Sequence, residues 1–144
     1  MKHTLLFPAL MLSTALCMAQ PKAAPAPKTH YLDHSTQSLI DAESAKKVMA
    51  ENVPAKAWKV YPASKYAFVS QVEGGMTQAG HCVITARVML LPRTPTMKAV
   101  LFRPQYTATA FDSLSGASGG DCKALARTKL KEATLAVVSN LVNR

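Results

Sequence analysis

His81-Cys82-Val83-Ile84-Thr85-Ala86-Arg87-Val88-Met89-Leu90-Leu91 is the stretch that decides the fold. Cys82, Ile84, Ala86, Val88 and Leu90 recur at every second position, while Thr85 and Arg87 mark the opposite side. Successive side chains of a strand point to opposite faces, so this period of two predicts a β-strand with one face turned to a core. Upstream, Tyr66, Phe68 and Val72 alternate with Lys65, Gln71 and Glu73, and residues 74–80 form a glycine-bounded connection. The two runs therefore read as a hairpin. Downstream, Pro92 to Pro95 turns the chain, and residues 98–112 form a third extended stretch with Val100, Phe102, Tyr106, Ala108 and Ala110 on one side. Pro104 interrupts it, and proline cannot donate to a ladder, so this stretch is expected to be a bulged edge strand or two strands bent at that point.

Helical spacing flanks the strands. Leu39, Ala42, Ala45 and Met49 repeat three or four residues apart, with Ser38 and Asp41 as a capping-box-like start, which predicts a helix over 38–51 ending before Pro54. Near the C-terminus Cys122, Ala126, Leu130, Ala133, Val137 and Leu141 form one apolar stripe, with Asp121 as the expected N-cap of a helix running nearly to Arg144. Trp58 and Tyr61, near Pro62, read as the entry to the first strand. The fold class is thus α+β: a helix, three or four antiparallel strands, and a C-terminal helix packed on the sheet.

The N-terminus sets the expected address. Lys2 and His3 precede an apolar run from Leu5 to Leu16, and Cys17-Met18-Ala19 offers small residues at the −3 and −1 positions of a signal-peptidase site. The run is about a dozen residues, short of the roughly 20 that span a bilayer, so no transmembrane span is expected to remain. Residues 1–19 therefore read as a signal peptide, 20–35 as a flexible Pro/Ala-rich tether, and 36–144 as a single domain. Leu16 is bulky where lipoprotein processing needs a small residue, which argues against lipidation at Cys17. A periplasmic or secreted location makes Cys82 and Cys122 an even pair in an oxidising compartment, and they are expected to be bonded. Closing a loop of about 40 residues would contribute about 4 kcal/mol in the chain-entropy estimate.

The chain has 17 Lys+Arg against 8 Asp+Glu, a formal net charge of +9 that falls to about +8 once Lys2 leaves with the signal segment. The excess is spread along the sequence, which points to an acidic protein or an anionic envelope component as partner. Nucleic acid is excluded as a partner by export and by the lack of an aromatic-plus-basic motif. Lys123, Arg127 and Lys131 repeat every four residues beside the apolar stripe of the last helix and form a positive ridge, the candidate binding surface.

Two other chemistries are legible. Gly116-Ala117-Ser118-Gly119-Gly120 is a literal G-x-S-x-G between a strand and a helix, the setting of a serine nucleophile, but no histidine follows Ser118. A small hydrolase would need Ser118, or carboxylates assembled by the fold. His30, Asp33 and His34 supply metal-ligand atoms within five residues, and on a helix His30 and His34 would share a face. No second cluster completes such a site, and no cofactor motif is present. The reading is an exported, disulfide-bonded binding protein: an envelope accessory factor, an inhibitor or an immunity-type protein. Its alternatives are a hydrolase using Ser118 or a metal-handling protein using His30 and His34.

Overall fold

The alternation around Cys82 becomes β3 (His81–Pro92), one of the two central strands of a four-stranded sheet in the order β1-β2-β3-β4. The computed structural model describes residues 28–96 and 99–142. The signal-segment reading, Cys17, residues 20–27 of the Pro/Ala-rich tether and Met97 lie outside the described residues. β2 (Tyr66–Met76) pairs antiparallel with β3, which pairs antiparallel with β4 (Tyr106–Ser115). The expected hairpin is present. Its first strand runs on through Gly74 and Gly75, so the connection shrinks to Thr77-Gln78-Ala79-Gly80. Gly74 holds φ +123, and a Cβ there would stand 2.0 Å from the Val83 carbonyl oxygen. Glycine is used here for close approach inside the ladder.

The expected helix-first order and wholly antiparallel sheet need correction. β1 (Tyr31–Asp33), in a segment assigned by sequence to the tether, pairs parallel with β2, so the sheet is mixed. Three residues carry no readable alternation, and tertiary bonds hold them. Ser70 and Ser35 hydroxyls both donate to Asp33 Oδ1, at 2.6 and 2.5 Å, and Ser35 Oγ accepts from Val72 N–H at 2.9 Å. Tyr31 packs edge-on against Trp58, which in turn meets Phe68 at 5.2 Å between ring centroids. Burial raises the Tyr31 phenol above its ordinary value.

α1 (Ala42–Asn52) starts later than expected because Asp41 itself is the cap: its carboxylate accepts from Ser44 N–H at 2.8 Å and from the Ser44 hydroxyl at 2.7 Å. α2 (Ala55–Val60), set between Pro54 and Pro62, was not anticipated, and it carries the buried Trp58. The third extended stretch is split: Val100 makes an isolated bridge to Arg93, and β4 begins only after Pro104. Val100 and Phe102 consequently do not share the face of Tyr106, Ala108 and Ala110; Val100 packs on the opposite side of the sheet.

α3 (Gly119–Val142) lies on the sheet through the predicted stripe. Cys122, Ala126, Leu130, Ala133, Val137 and Leu141 are all buried with Phe68, Val72, Ile84, Ala86, Val88 and Leu90, and α1 adds Ala45 and Met49. Full burial of each Val, Leu, Ile, Phe or Met side chain among them stabilises by about 1.5–3 kcal/mol, so this layer drives folding. Cys82 and Cys122 are disulfide-bonded with Cα atoms 5.5 Å apart, tying the start of α3 to the start of β3. The other face of the sheet carries a smaller cluster of Ala67, Val69, Met89 and Leu91, flanked by Leu32 and Val100. Among the described residues no helix is long and apolar enough to cross a membrane.

Candidate functional site

The apolar stripe of α3 fixes which way its neighbours point. Lys123, Arg127 and Lys131 stand on the flank of α3 that faces α1, all three exposed. Between the helices runs a shallow groove. Arg127 and Lys131 line its wider part, about 430 Å³, together with Val48, Glu51 and Asn52 of α1. Lys123 and Arg127 line a second hollow of about 290 Å³ with Leu39, Ile40 and Asp41. Arg127 is common to both.

Charge in the groove is mixed, with a positive excess. Asp41 is held below the ordinary carboxyl value first by its hydrogen bonds from Ser44, and in smaller part by the Arg127 charge. Glu51 pairs with Lys47 at 3.9 Å. Among the described residues no ion pair involves Lys123, Arg127 or Lys131. Lys129, one turn position away on the sheet side, is committed instead to Asp112 and Glu132. The arrangement can hold an extended anionic surface. The two carboxylates that line the groove are both engaged, Asp41 with Ser44 and Glu51 with Lys47.

Ser118 has a different employment. Its hydroxyl accepts from Asp121 N–H at 3.2 Å while the Asp121 carboxylate accepts from Ser118 N–H at 2.9 Å, and α3 starts at Gly119. That is a reciprocal capping box, with Ser118 as the cap and Asp121 at the third helical position, so the cap is three residues earlier than expected. Bonding to Ser118 holds the Asp121 carboxyl below its usual range. The histidine nearest in kind, His81, bonds Ser115 Oγ through Nδ1 at 2.8 Å across β3 and β4, both groups exposed.

His30 and His34 bracket an extended strand and not a helical turn, which removes the shared helical face. Burial, and next the Arg93 charge, lower the His30 pKa from its ordinary value. Among the described residues no three His, Cys, Asp or Glu side chains converge on a metal position.

One site was missed. On the face of the sheet away from α3, Val69, Met89, Leu91, Val100 and Phe102 surround a mainly apolar hollow of about 350 Å³ with His34 at its rim. The available signal was Met89 and Leu91, apolar on the side of β3 that Thr85 and Arg87 mark as polar.

No family model matches the chain, and no curated protein does. Among solved structures it is similar to a candidate lipoprotein of Caulobacter crescentus, at 10% identity over 76% of this chain and 82% of that one, with a TM-score of 0.32.

Proposed function

We propose that this chain is an exported binding protein of the bacterial envelope, an accessory factor, inhibitor or immunity-type protein, that engages an acidic protein or another anionic envelope component through Lys123, Arg127 and Lys131. The observation that carries the reading is the row of three exposed cations along the α1–α3 groove, none of them in an ion pair among the described residues. Like charges at helical spacing repel one another mildly, so an external anion relieves a cost already present in α3. Export is supported by the Cys82–Cys122 bond, since such bonds persist in oxidising compartments, and by the signal-like composition of residues 1–19.

The test is a titration of wild type and a Lys123→Gln, Arg127→Gln, Lys131→Gln variant against polyglutamate and against vesicles containing phosphatidylglycerol, each at low and high salt. Rim charge pairs contribute about 0.2 to 1 kcal/mol each, so the triple change should cost roughly 1 to 3 kcal/mol and flatten the salt dependence. Circular dichroism checks that the fold is kept. Equal binding by the two proteins at low salt would overturn the assignment of the ridge.

A further inference from the structure

The backbone of β4 leaves a bounded open window at the edge of the sheet. Gly116 N–H donates to Gly80 C=O at 3.0 Å, in register with His81↔Ser115, which sets the phase of the β3–β4 ladder. Hydrogen-bonded pairs alternate in an antiparallel ladder, so Tyr106, Ala108, Ala110, Asp112 and Leu114 bond β3, and the odd-numbered residues turn their N–H and C=O groups outward. The outward Ser113 N–H is already taken, by Asp112 Oδ1 at 2.8 Å. At the other end Gln105 N–H bonds Leu90 C=O, the carbonyl that Tyr106 also faces, which makes a bulge. Between these two stops, the outward groups of Thr107, Thr109 and Phe111 have no partner among the described residues.

We infer that this window pairs antiparallel with the same window of a second copy, about a two-fold axis through Thr109. The three outward residues are palindromic in the sense that matters: Thr109 faces Thr109, and Thr107 faces Phe111 in both directions. Each facing pair then exchanges both of its N–H···O bonds, and the stops at Gln105 and Ser113 leave no other register that satisfies all three residues. Open edges are normally blunted by lysine, proline or a bulge inside the strand. The run Tyr106-Thr107-Ala108-Thr109-Ala110-Phe111 has none of these and no charge of its own; the cation nearest the axis is Arg87, which faces Thr109 from β3 and so stands one strand back from the contact in each copy. Phe111 is 78% exposed and projects on the face away from α3. In the paired sheet it extends the row formed by Thr107, Met89 and Val69 of the other copy; Met89 and Val69 are already buried, so the exposed surface it covers is its own and that of Thr107.

The test uses the purified disulfide-bonded protein in analytical ultracentrifugation from micromolar to submillimolar concentration, with two variants. Wild type should run as a dimer. Thr109→Pro removes an N–H that does not bond β3, so it should abolish the dimer and leave the circular dichroism spectrum unchanged. Thr109→Cys keeps that N–H and places two thiols on the axis, where facing Cα atoms lie about 5.5 Å apart, within disulfide range. Under mild oxidation it should give a covalent dimer on a denaturing gel, which reductant converts to single chains there and to the non-covalent dimer of wild type in the ultracentrifuge, and this variant decides the matter if Thr109→Pro does not fold. A monomeric wild type throughout the range, a folded Thr109→Pro variant that still dimerises, or a Thr109→Cys dimer whose introduced thiols do not cross-link would each overturn the inference.

Discussion

Lys129 of α3 reaches Asp112 of β4 with its ammonium 2.9 Å from the carboxylate, and the same ammonium lies 3.0 Å from Glu132 one turn on. This contact clamps the last helix over the edge strand, and the Lys129 side chain is only 12% exposed. Asp112 is held below its ordinary pKa, chiefly by the Lys129 hydrogen bond and then by Ser113 N–H, while Lys129 is raised, chiefly by Asp112 and then by Glu132.

The direction of the pH dependence follows. A lowered carboxyl contributes stability that is present above its unfolded pKa and lost as pH falls through the folded value. A raised ammonium contributes stability that is present below its unfolded pKa and lost as pH rises through the folded value. Asp112→Asn keeps an acceptor for Ser113 N–H but removes the ion pair. The melting-temperature gap between wild type and Asp112→Asn should therefore be flat between about pH 5 and pH 9 and close at both extremes. A gap that grew on acidification would contradict the pairing.

The Cys82–Cys122 bond should contribute about 4 kcal/mol by restricting the unfolded chain across 40 residues of separation. Denaturant unfolding with and without reductant measures it. Intact mass after alkylation of the unreduced protein should show no modified cysteine at either position. The reduced form should still show helix and sheet signals at low temperature, because the core layer of β3 and α3 is assembled from apolar residues besides the two cysteines.

What was legible in the sequence was what repeats locally. The face of Cys82, Ile84, Ala86, Val88 and Leu90, and the stripe from Cys122 to Leu141, each span enough periods to declare their element and their buried side. The cysteine pair then linked the two. β1 was illegible because Tyr31-Leu32-Asp33 is shorter than two periods and is held by Ser70 and Trp58, which are distant in sequence. α2 is a single turn and a half between prolines. The ridge of Lys123, Arg127 and Lys131 was readable from helical spacing, but the carboxylate of Asp41 beside Arg127 was not, since only the packing of α1 on α3 brings it there.

Ser118→Ala should act on stability. It removes the oxygen that accepts Asp121 N–H and leaves the first turn of α3 short of one acceptor, a loss of about 1 kcal/mol for a cap of this kind. Ser118→Asp should retain most of the stability, because a carboxylate can cap the same N–H groups, though it brings a second negative charge beside Asp121. Thermal melts of the three proteins rank them. Equal stability of Ser118→Ala and wild type would mean that the capping box contributes nothing.

Gly74 and Gly75 separate two effects that glycine substitutions usually mix. Both have positive φ, +123 and +144, so alanine is strained at either position, by roughly 1 to 3 kcal/mol. At Gly75 a Cβ meets nothing within 4 Å, whereas at Gly74 it would stand 2.0 Å from the Val83 carbonyl oxygen and 3.2 Å from the Ile84 Cα, both backbone atoms that cannot turn aside. Gly74→Ala must therefore push β2 and β3 apart where Gly74 faces Ile84, two residues from the disulfide at Cys82. Gly75→Ala should lower stability by the strain alone, and Gly74→Ala by clearly more. Amide hydrogen exchange should show the excess as faster opening of Val83 and Thr85, whose N–H groups bond β2 on either side of Ile84, with the Tyr66–Pro92 end of the hairpin unaffected. Equal destabilisation by the two variants would mean that the strands separate at this point without cost.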